Sequence, residues 1–208
     1  MADPPAAGLV ARELTFREWG PFSFTVAPGE CLGLSGPSGA GKTLLLRALA
    51  DLDPHGGRVT LDGVAQTDLP AARWRHRVAL LPPDTLWWHD HVGAHFPAAP
   101  DDTLAGWRAA LGLPDDALEW PVARLSAGER QRLGLLRLLA RRPRALLLDE
   151  PTANLDPDSA ARVEQLIADY RAATRAPVIW VAHHADQLNR VAGRRLRLAD
   201  NHLRETAP

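Results

Sequence analysis

The stretch Leu34-Ser35-Gly36-Pro37-Ser38-Gly39-Ala40-Gly41-Lys42-Thr43-Leu44 decides how the rest of the chain is read. It holds the spacing G-x-x-x-x-G-K-[ST] between residues 30–35, which read as a short buried strand, and good helix formers with apolar residues at helical spacing over residues 44–50. Glycines in such a loop let successive backbone N–H groups turn inward around phosphate oxygens. The lysine reaches the terminal phosphates, and the hydroxyl of Thr43 can ligate Mg²⁺. A strand before the loop and a helix after it complete the context, because the helix dipole and its free amides favour an anion. Lys42 is the only lysine in the chain, every other member of the 24 Lys+Arg being arginine. So biased a composition keeps lysine where a slim, flexible point charge is required and a planar guanidinium would not serve. Gly36, Pro37, Ser38, Gly39, Ala40, Gly41, Lys42 and Thr43 are therefore expected to bind a nucleoside triphosphate.

Around this loop the composition narrows the field. The 208 residues suffice for one substantial core, or for a core plus a small lobe. A formal net charge of −1 supplies no basic field to hold nucleic acid by its phosphates, so no nucleic-acid partner is expected. The longest apolar runs, such as Ala145-Leu146-Leu147-Leu148, are far shorter than a membrane span. The start, Met1-Ala2-Asp3-Pro4-Pro5, lacks the basic and apolar regions of a signal peptide. A single cysteine, Cys31, forms no intrachain disulfide and suits a reducing compartment; within an apolar strand it reads as a buried structural thiol. A soluble, cytoplasmic protein is expected.

Residues 10–30 alternate apolar and polar and read as antiparallel strands beside the nucleotide loop. Further strands are expected at 58–63, 77–81, 145–148 and 177–182, helices at 126–140 and 159–173, and a closing hairpin or edge at 194–203. Between 82 and 121 prolines and tryptophans replace the strand pattern, with helices expected at 92–96, 103–111 and 115–119. The alternation of strands and helices predicts an α/β fold with a mainly parallel central sheet, an antiparallel β subdomain and an inserted α-helical lobe. All of 1–208 reads as one domain, with a nucleotide-binding core over about 9–81 and 141–203 and the lobe over about 82–140. Only residues 4–8 read as loose.

Two further constellations sharpen the chemistry. Leu146-Leu147-Leu148-Asp149-Glu150 sets two acids at the end of a buried strand. There Asp149 can hold Mg²⁺, while Glu150 can accept a proton from water lined up on a γ-phosphate. Leu125-Ser126-Ala127-Gly128-Glu129 offers a hydroxyl, free amides and the positive end of a helix to an anion. A chain that already has one phosphate cradle needs a reason for a second. Together these segments resemble the ATP-binding cassette (ABC) ATPases. Residues 125–129 are similar to that family's signature, Pro151-Thr152-Ala153-Asn154-Leu155-Asp156 to its D-loop, and Val178-Ile179-Trp180-Val181-Ala182-His183 to the strand ending in its switch histidine. The resemblance runs from about residue 9 to 203 in the family's order and spacing.

The resemblance implies two ATP molecules sandwiched between two head-to-tail copies of the chain, each loop 36–43 facing Ser126, Ala127, Gly128 and Glu129 of the other copy. It implies Glu150 as general base, His183 as γ-phosphate sensor, Thr43 and Asp149 in the Mg²⁺ shell, and Asn154 and Asp156 in the D-loop. Phe16 is expected to stack on adenine, with Trp19 as the alternative. The implied function is that of the ATP-hydrolysing subunit of an ABC transporter, with a separately encoded transmembrane permease holding it at the inner face of the membrane. The compact lobe is loosely similar to small bacterial iron-export cassettes. A non-transport cassette acting on nucleic acid, repair or ribosomes is the alternative.

Departures from the family pattern are specific. Where a glutamine usually follows the strand at 77–81 the chain reads Leu81-Pro82-Pro83-Asp84, so either Asp84 substitutes through a water or the metal contact is missing and hydrolysis is slow. Ala127 and Glu129 replace a glycine and a glutamine, and the charge of Glu129 is expected to weaken ATP-driven dimerisation slightly. Of His89, His91 and His95, metal-ligand residue types, the expected state is exposed imidazoles on a polar lobe. Trp87-Trp88 beside them is expected either to meet the permease or to pack within the lobe.

Overall fold

The computed structural model describes residues 8–97 and 101–206, so all but Gly8 of the stretch expected to be loose lies outside the described residues. The longer sheet has strand order β10-β9-β3-β8-β7-β6. Here β3 is Cys31–Ser35, β6 Val78–Leu81, β7 Ala145–Asp149, β8 Val178–Val181, β9 Arg194–Ala199 and β10 His202–Thr206. Strands β6, β7, β8, β3 and β9 pair in parallel, and β10 closes the edge antiparallel to β9. The central strands are apolar up to their last residues, Ser35 in β3 and Asp149 in β7, because both faces are covered, as expected for parallel strands. Leu32, Leu34, Leu147, Ile179 and Val181 fill one side; Cys31, Leu146, Leu148, Val178 and Trp180 fill the other.

A second sheet, order β2-β1-β4-β5, is antiparallel throughout and comprises β1 Leu9–Phe16, β2 Trp19–Val26, β4 Gly56–Leu61 and β5 Val64–Ala65. It shares one core with the first sheet, with α1 (Lys42–Leu49) between them in that core: Leu14, Phe22 and Val26 belong to the same cluster as Leu45, Leu46 and Leu147. On the other side, α4 (Ala127–Leu139) and α5 (Pro157–Thr174) bury Leu133, Leu136, Val163 and Ile167 in one cluster with the lobe residues Val92, Leu104 and Trp120.

Several expectations needed correction. Two of the three lobe helices are single 3₁₀ turns, Val92–His95 and Asp115–Leu118; only α3, Asp102–Ala110, is α-helical. Segments of four residues can close i→i+3 bonds but not an α-helical ladder, and Pro97 and Pro114 bound them. Two short helices were not expected, α2 (Ala71–Arg77) and α6 (Ala185–Val191). Their polar sequences bury one side chain each, Trp74 and Leu188, which leaves little periodicity to read. At the chain's end β9 and β10 form a hairpin. Ala199 pairs with His202 across Asp200 and Asn201, both at positive φ, the conformation a two-residue turn of matching twist requires.

Candidate nucleotide-binding and hydrolysis site

Strand order builds the site. β8 lies between β3 and β7, all three run parallel, and each delivers functional residues from its C-terminal end. After β3 comes the loop 36–41, after β8 Ala182 and His183, and after β7 Glu150. His183 thus hangs between the phosphate-type loop and the acidic pair.

The loop geometry needs its glycines. A Cβ on Gly36 would lie 2.1 Å from the Leu198 carbonyl oxygen, and Gly41, the N-cap of α1, sits at φ 90°. Lys42 is buried, and its Nζ donates to the carbonyls of Gly36 at 2.8 Å and Pro37 at 3.0 Å. Burial lowers its pKa, opposed by the nearby charges of Glu150 and Asp149. Thr43 Oγ1 donates to Asp149 Oδ2 at 2.6 Å. Asp149 is 2% exposed, and that desolvation raises its pKa against the Thr43 hydrogen bond, with Glu150 adding to the rise. The Glu150 backbone lies at φ 51°, unusual for a residue with a side chain, and its N–H donates to the Val181 carbonyl at 3.1 Å. Its Oε1 stands 2.7 Å from His183 Nε2. The structure therefore brings Lys42, Thr43, Asp149, Glu150 and His183 to one edge.

Phe16 needs correction as a platform for adenine. It is 3% exposed and packs against Phe22 with ring centroids 5.8 Å apart, so it offers no free face. At the end of β1, Leu14 and Phe16 are buried and Thr15 between them is only partly so, which sets Phe16 on the inward phase. Trp19 is half-buried and lies against the loop: a Cβ on Gly41 would stand 3.2 Å from its ring.

Ser126 is the N-cap of α4, and a reciprocal box closes there. The Ser126 hydroxyl accepts from the Glu129 N–H at 3.2 Å, and Glu129 Oε2 accepts from the Ser126 N–H at 2.8 Å. The Ser126 backbone N–H, chiefly, holds the Glu129 carboxyl below the usual range. Two of the donors expected to face an anion are thus engaged inside the chain. Among the described residues no hydrogen bond or ion pair joins 126–129 to 36–43 of the same chain. Gly128 instead approaches the D-loop segment, where a Cβ would be 3.3 Å from the Asn154 carbonyl oxygen. Asn154 is exposed, and Asp156 caps α5 by accepting from the Ser159 N–H at 2.9 Å.

Asp84 is exposed and has no hydrogen bond or ion pair among the described residues. His95 contradicts the expectation of exposed imidazoles: it is 8% exposed, with both ring nitrogens in contact with backbone polar groups. No group of three or more His, Cys, Asp or Glu that could hold a metal occurs among the described residues. A link that the sequence did not disclose joins α6 to the D-loop segment. Gln187 Nε2 donates to Thr152 Oγ1 at 2.7 Å and to Glu164 Oε1 at 2.9 Å. Gln187 and Thr152 are 35 positions apart, so no local pattern announces their contact.

Over residues 20–153 the sequence matches the family model described as ABC transporter. It is 36% identical over 189 residues to "Methionine import ATP-binding protein MetN 1" of Pseudomonas fluorescens (strain Pf0-1), covering 82% of this chain and 56% of that protein. To the MetN of Xanthomonas axonopodis pv. citri (strain 306) it is 34% identical over 203 residues, covering 90% and 60%. The chain thus spans little more than half the length of these curated relatives. Among solved structures, cbiO1 from Clostridium perfringens, part of the ABC transporter complex cbiONQ, superposes with TM-score 0.78 at 20% identity, covering 96% of this chain and 87% of that one. A bacterial Atm1-family ABC exporter with ATP bound gives TM-score 0.82 at 21% identity, covering 98% and 39%. At such identities the structural matches speak for the fold alone. Among the described residues no helix is long and apolar enough to cross a membrane. The matched stretch contains the phosphate-type loop, the signature-like helix start and the acidic strand end, and the chain belongs to the ABC transporter family as an ATP-binding domain.

Proposed function

We propose that this chain binds and hydrolyses ATP with Mg²⁺ and thereby drives a solute through a separate membrane subunit, acting as a head-to-tail pair. One observation carries the reading: β3, β8 and β7 end side by side and deliver Lys42, His183 and the Asp149–Glu150 pair to one edge, with His183 Nε2 2.7 Å from Glu150 Oε1. The loop amides and Lys42 bind the phosphates, the ammonium exchanging the carbonyls of Gly36 and Pro37 for phosphate oxygens. Glu150 takes the proton of the attacking water, and His183 holds that carboxylate in place while reading the γ-phosphate. The Thr43 hydroxyl and Asp149 carboxylate are hard oxygen donors 2.6 Å apart, a set that fits Mg²⁺. Bound there, the ion supplies charge stabilisation to the phosphate oxygens. Asp84 is the residue proposed to reach it through water in place of the family's glutamine. Trp19 takes over from Phe16 as the adenine platform.

Residues 82–140 are proposed as the lobe whose helix start, Ser126 to Glu129, closes over the ATP of the other copy, with Asn154 and Asp156 lining that junction. The contact with the membrane subunit is assigned to a cavity of about 230 Å³ lined by Leu52, Arg75, Leu81, Trp88, Arg137 and Arg141 among others. Leu86 and Trp88, 78% and 62% exposed, stand at or beside it, and exposed aromatics favour interfaces. This contact would hold the chain peripherally at the inner face of the membrane. The curated relatives cited are import proteins, so their names lend no support to the iron-export subtype.

Glu150→Gln is expected to retain ATP binding and to lose turnover by about two orders of magnitude or more. Steady-state phosphate release checks this, and a variant at near wild-type rate overturns the assignment. Affinity capture from native membranes, followed by identification of a multispanning partner, tests the transport reading.

A further inference from the structure

The loop between β6 and the turn Val92–His95 carries the most exposed large apolar side chains of the described residues, and one imidazole ties down its far end. His95 Nε2 lies 3.0 Å from the backbone N of Trp88 and 3.1 Å from that of His89. Both neighbours are donors, so Nε2 must present its lone pair. His95 Nδ1 lies 3.2 Å from the carbonyl oxygens of His91 and Val92, both acceptors, so Nδ1 must carry the proton. Only one of the three imidazole states fits: the neutral ring protonated at Nδ1. The imidazolium would aim an N–H at two N–H groups.

The surroundings make that mismatch costly and local. The rings of Trp87, Trp88 and His89 pack edge-on against His95 at centroid distances of 4.8, 4.7 and 4.9 Å. From α4, the Arg137 guanidinium lies over Trp87 and Trp88 and donates to the Leu86 carbonyl at 2.9 Å. Arg137 and His89 are the cationic or titratable groups that act on the ring. The turn Asp115–Leu118 also packs nearby, but Asp115 is bound to Arg108, and among the described residues no carboxylate pairs with His95. On the far side the turn is pinned independently, Val92 N–H to the Trp120 carbonyl at 3.0 Å and Val122 N–H to that of Asp90 at 2.7 Å. Loss of the imidazole acceptor therefore releases the backbone of Trp88 and His89 without unseating the turn, while Arg137 still holds the Leu86 carbonyl.

We propose that neutral His95 is the clasp that holds residues 88–89 with Trp88 displayed beside Leu86, and that protonation of this ring opens the clasp and takes Trp88 out of the docking face. The identity of the partner at that face rests on the membrane-subunit reading above; the clasp itself does not. Burial, the largest cause, pushes the imidazole below its ordinary value; the Val92 and His91 carbonyls resist, and Arg137 and His89 add to the fall. The sign follows: the clasp is fully formed above the ordinary histidine value of about 6.5 and is lost as pH falls through the depressed one.

Amide hydrogen exchange of Trp88 and His89 in the full chain, corrected for intrinsic rates between pH 7.5 and 4.5, tests the clasp. Protection should hold at the upper end and then fall by about tenfold per pH unit once the ring titrates. His95→Gln, which keeps an acceptor oxygen but does not titrate, should show a flat profile. Wild-type protection unchanged to pH 4.5, or the same profile in both proteins, overturns the proposal. Should His95→Gln fail to fold, ring ¹⁵N spectra of the wild type decide: an Nδ1–H tautomer near neutral pH, titrating with the midpoint of the amide exchange, supports the clasp. An Nε2–H tautomer or a different midpoint overturns it. Retention on native membranes at pH 7.5 and 5.5 separates the partner reading. Loss that follows the amide midpoint supports docking through this loop, and no retention at either pH sinks the membrane-subunit reading while exchange alone decides the clasp.

Discussion

Glu129 shows how one side chain can serve two masters. Its carboxylate completes the box at the start of α4, and a cap of this kind is worth about 1 kcal/mol. The same carboxylate adds a negative charge where a partner's phosphate is proposed to sit. Glutamine can close the box without the charge, so Glu129→Gln should lower the ATP concentration for half-maximal dimerisation by about two- to fivefold, the range of one charge at a helix end. Light scattering across an ATP titration checks this, and an unchanged midpoint shows that the charge does not matter. Phe16 and Trp19 separate in the same manner. Trp19→Ala should weaken ATP binding at least about fivefold, the lower end of an aromatic–base stack, measured by calorimetry. Phe16→Leu should shift thermal stability and leave ATP affinity near wild type. A different thermodynamic prediction attaches to Cys31, whose thiol is pushed up to about 12 by burial. It should stay unreactive to iodoacetamide in the folded protein and react on unfolding.

At the scale of elements, β7 holds the site because nothing in it is polar before Asp149. Leu146, Leu147 and Leu148 are fully buried on alternating faces. Leu147→Ala should cost about 2–5 kcal/mol in urea unfolding, because the cavity would lie between the sheet and α1, layers that close on it only in part. A cost below about 1 kcal/mol would mean that the two layers around α1 relax more than close packing allows. The same strand was plain in the sequence, as were α4 and α5, since long apolar or periodic runs leave one reading. The 3₁₀ turns at 92–95 and 115–118 and the short helices α2 and α6 were not. They bury one or two side chains each, and their conformation is set by flanking prolines and by neighbours distant in sequence.

Across the whole molecule, the start of α4 and the loop before α1 are two helix ends proposed to meet phosphate, with no hydrogen bond or ion pair between them among the described residues. In the proposed head-to-tail pair, a second copy would give each a counterpart. With Glu150→Gln blocking turnover, ATP and Mg²⁺ should double the mass seen in sedimentation, and Ser126→Arg should abolish the doubling. A species that stays monomeric at saturating ATP would leave the second helix end without a role.

From the amino-acid order came the phosphate-type loop and the paired acids, because each lies in a contiguous segment whose chemistry is local; the alternation of strands and helices announced the parallel sheet, and the resemblance to ABC ATPases pointed to His183. Only the folded chain decided that Phe16 faces the core and Trp19 the loop, that Glu129 spends its charge on Ser126, that Gln187 reaches Thr152, and that His95 is buried as a neutral ring. Each of these depends on groups brought together by packing, on the phase of a strand or on hydrogen bonds closed in three dimensions, and none of those is written in the spacing of neighbours along the chain.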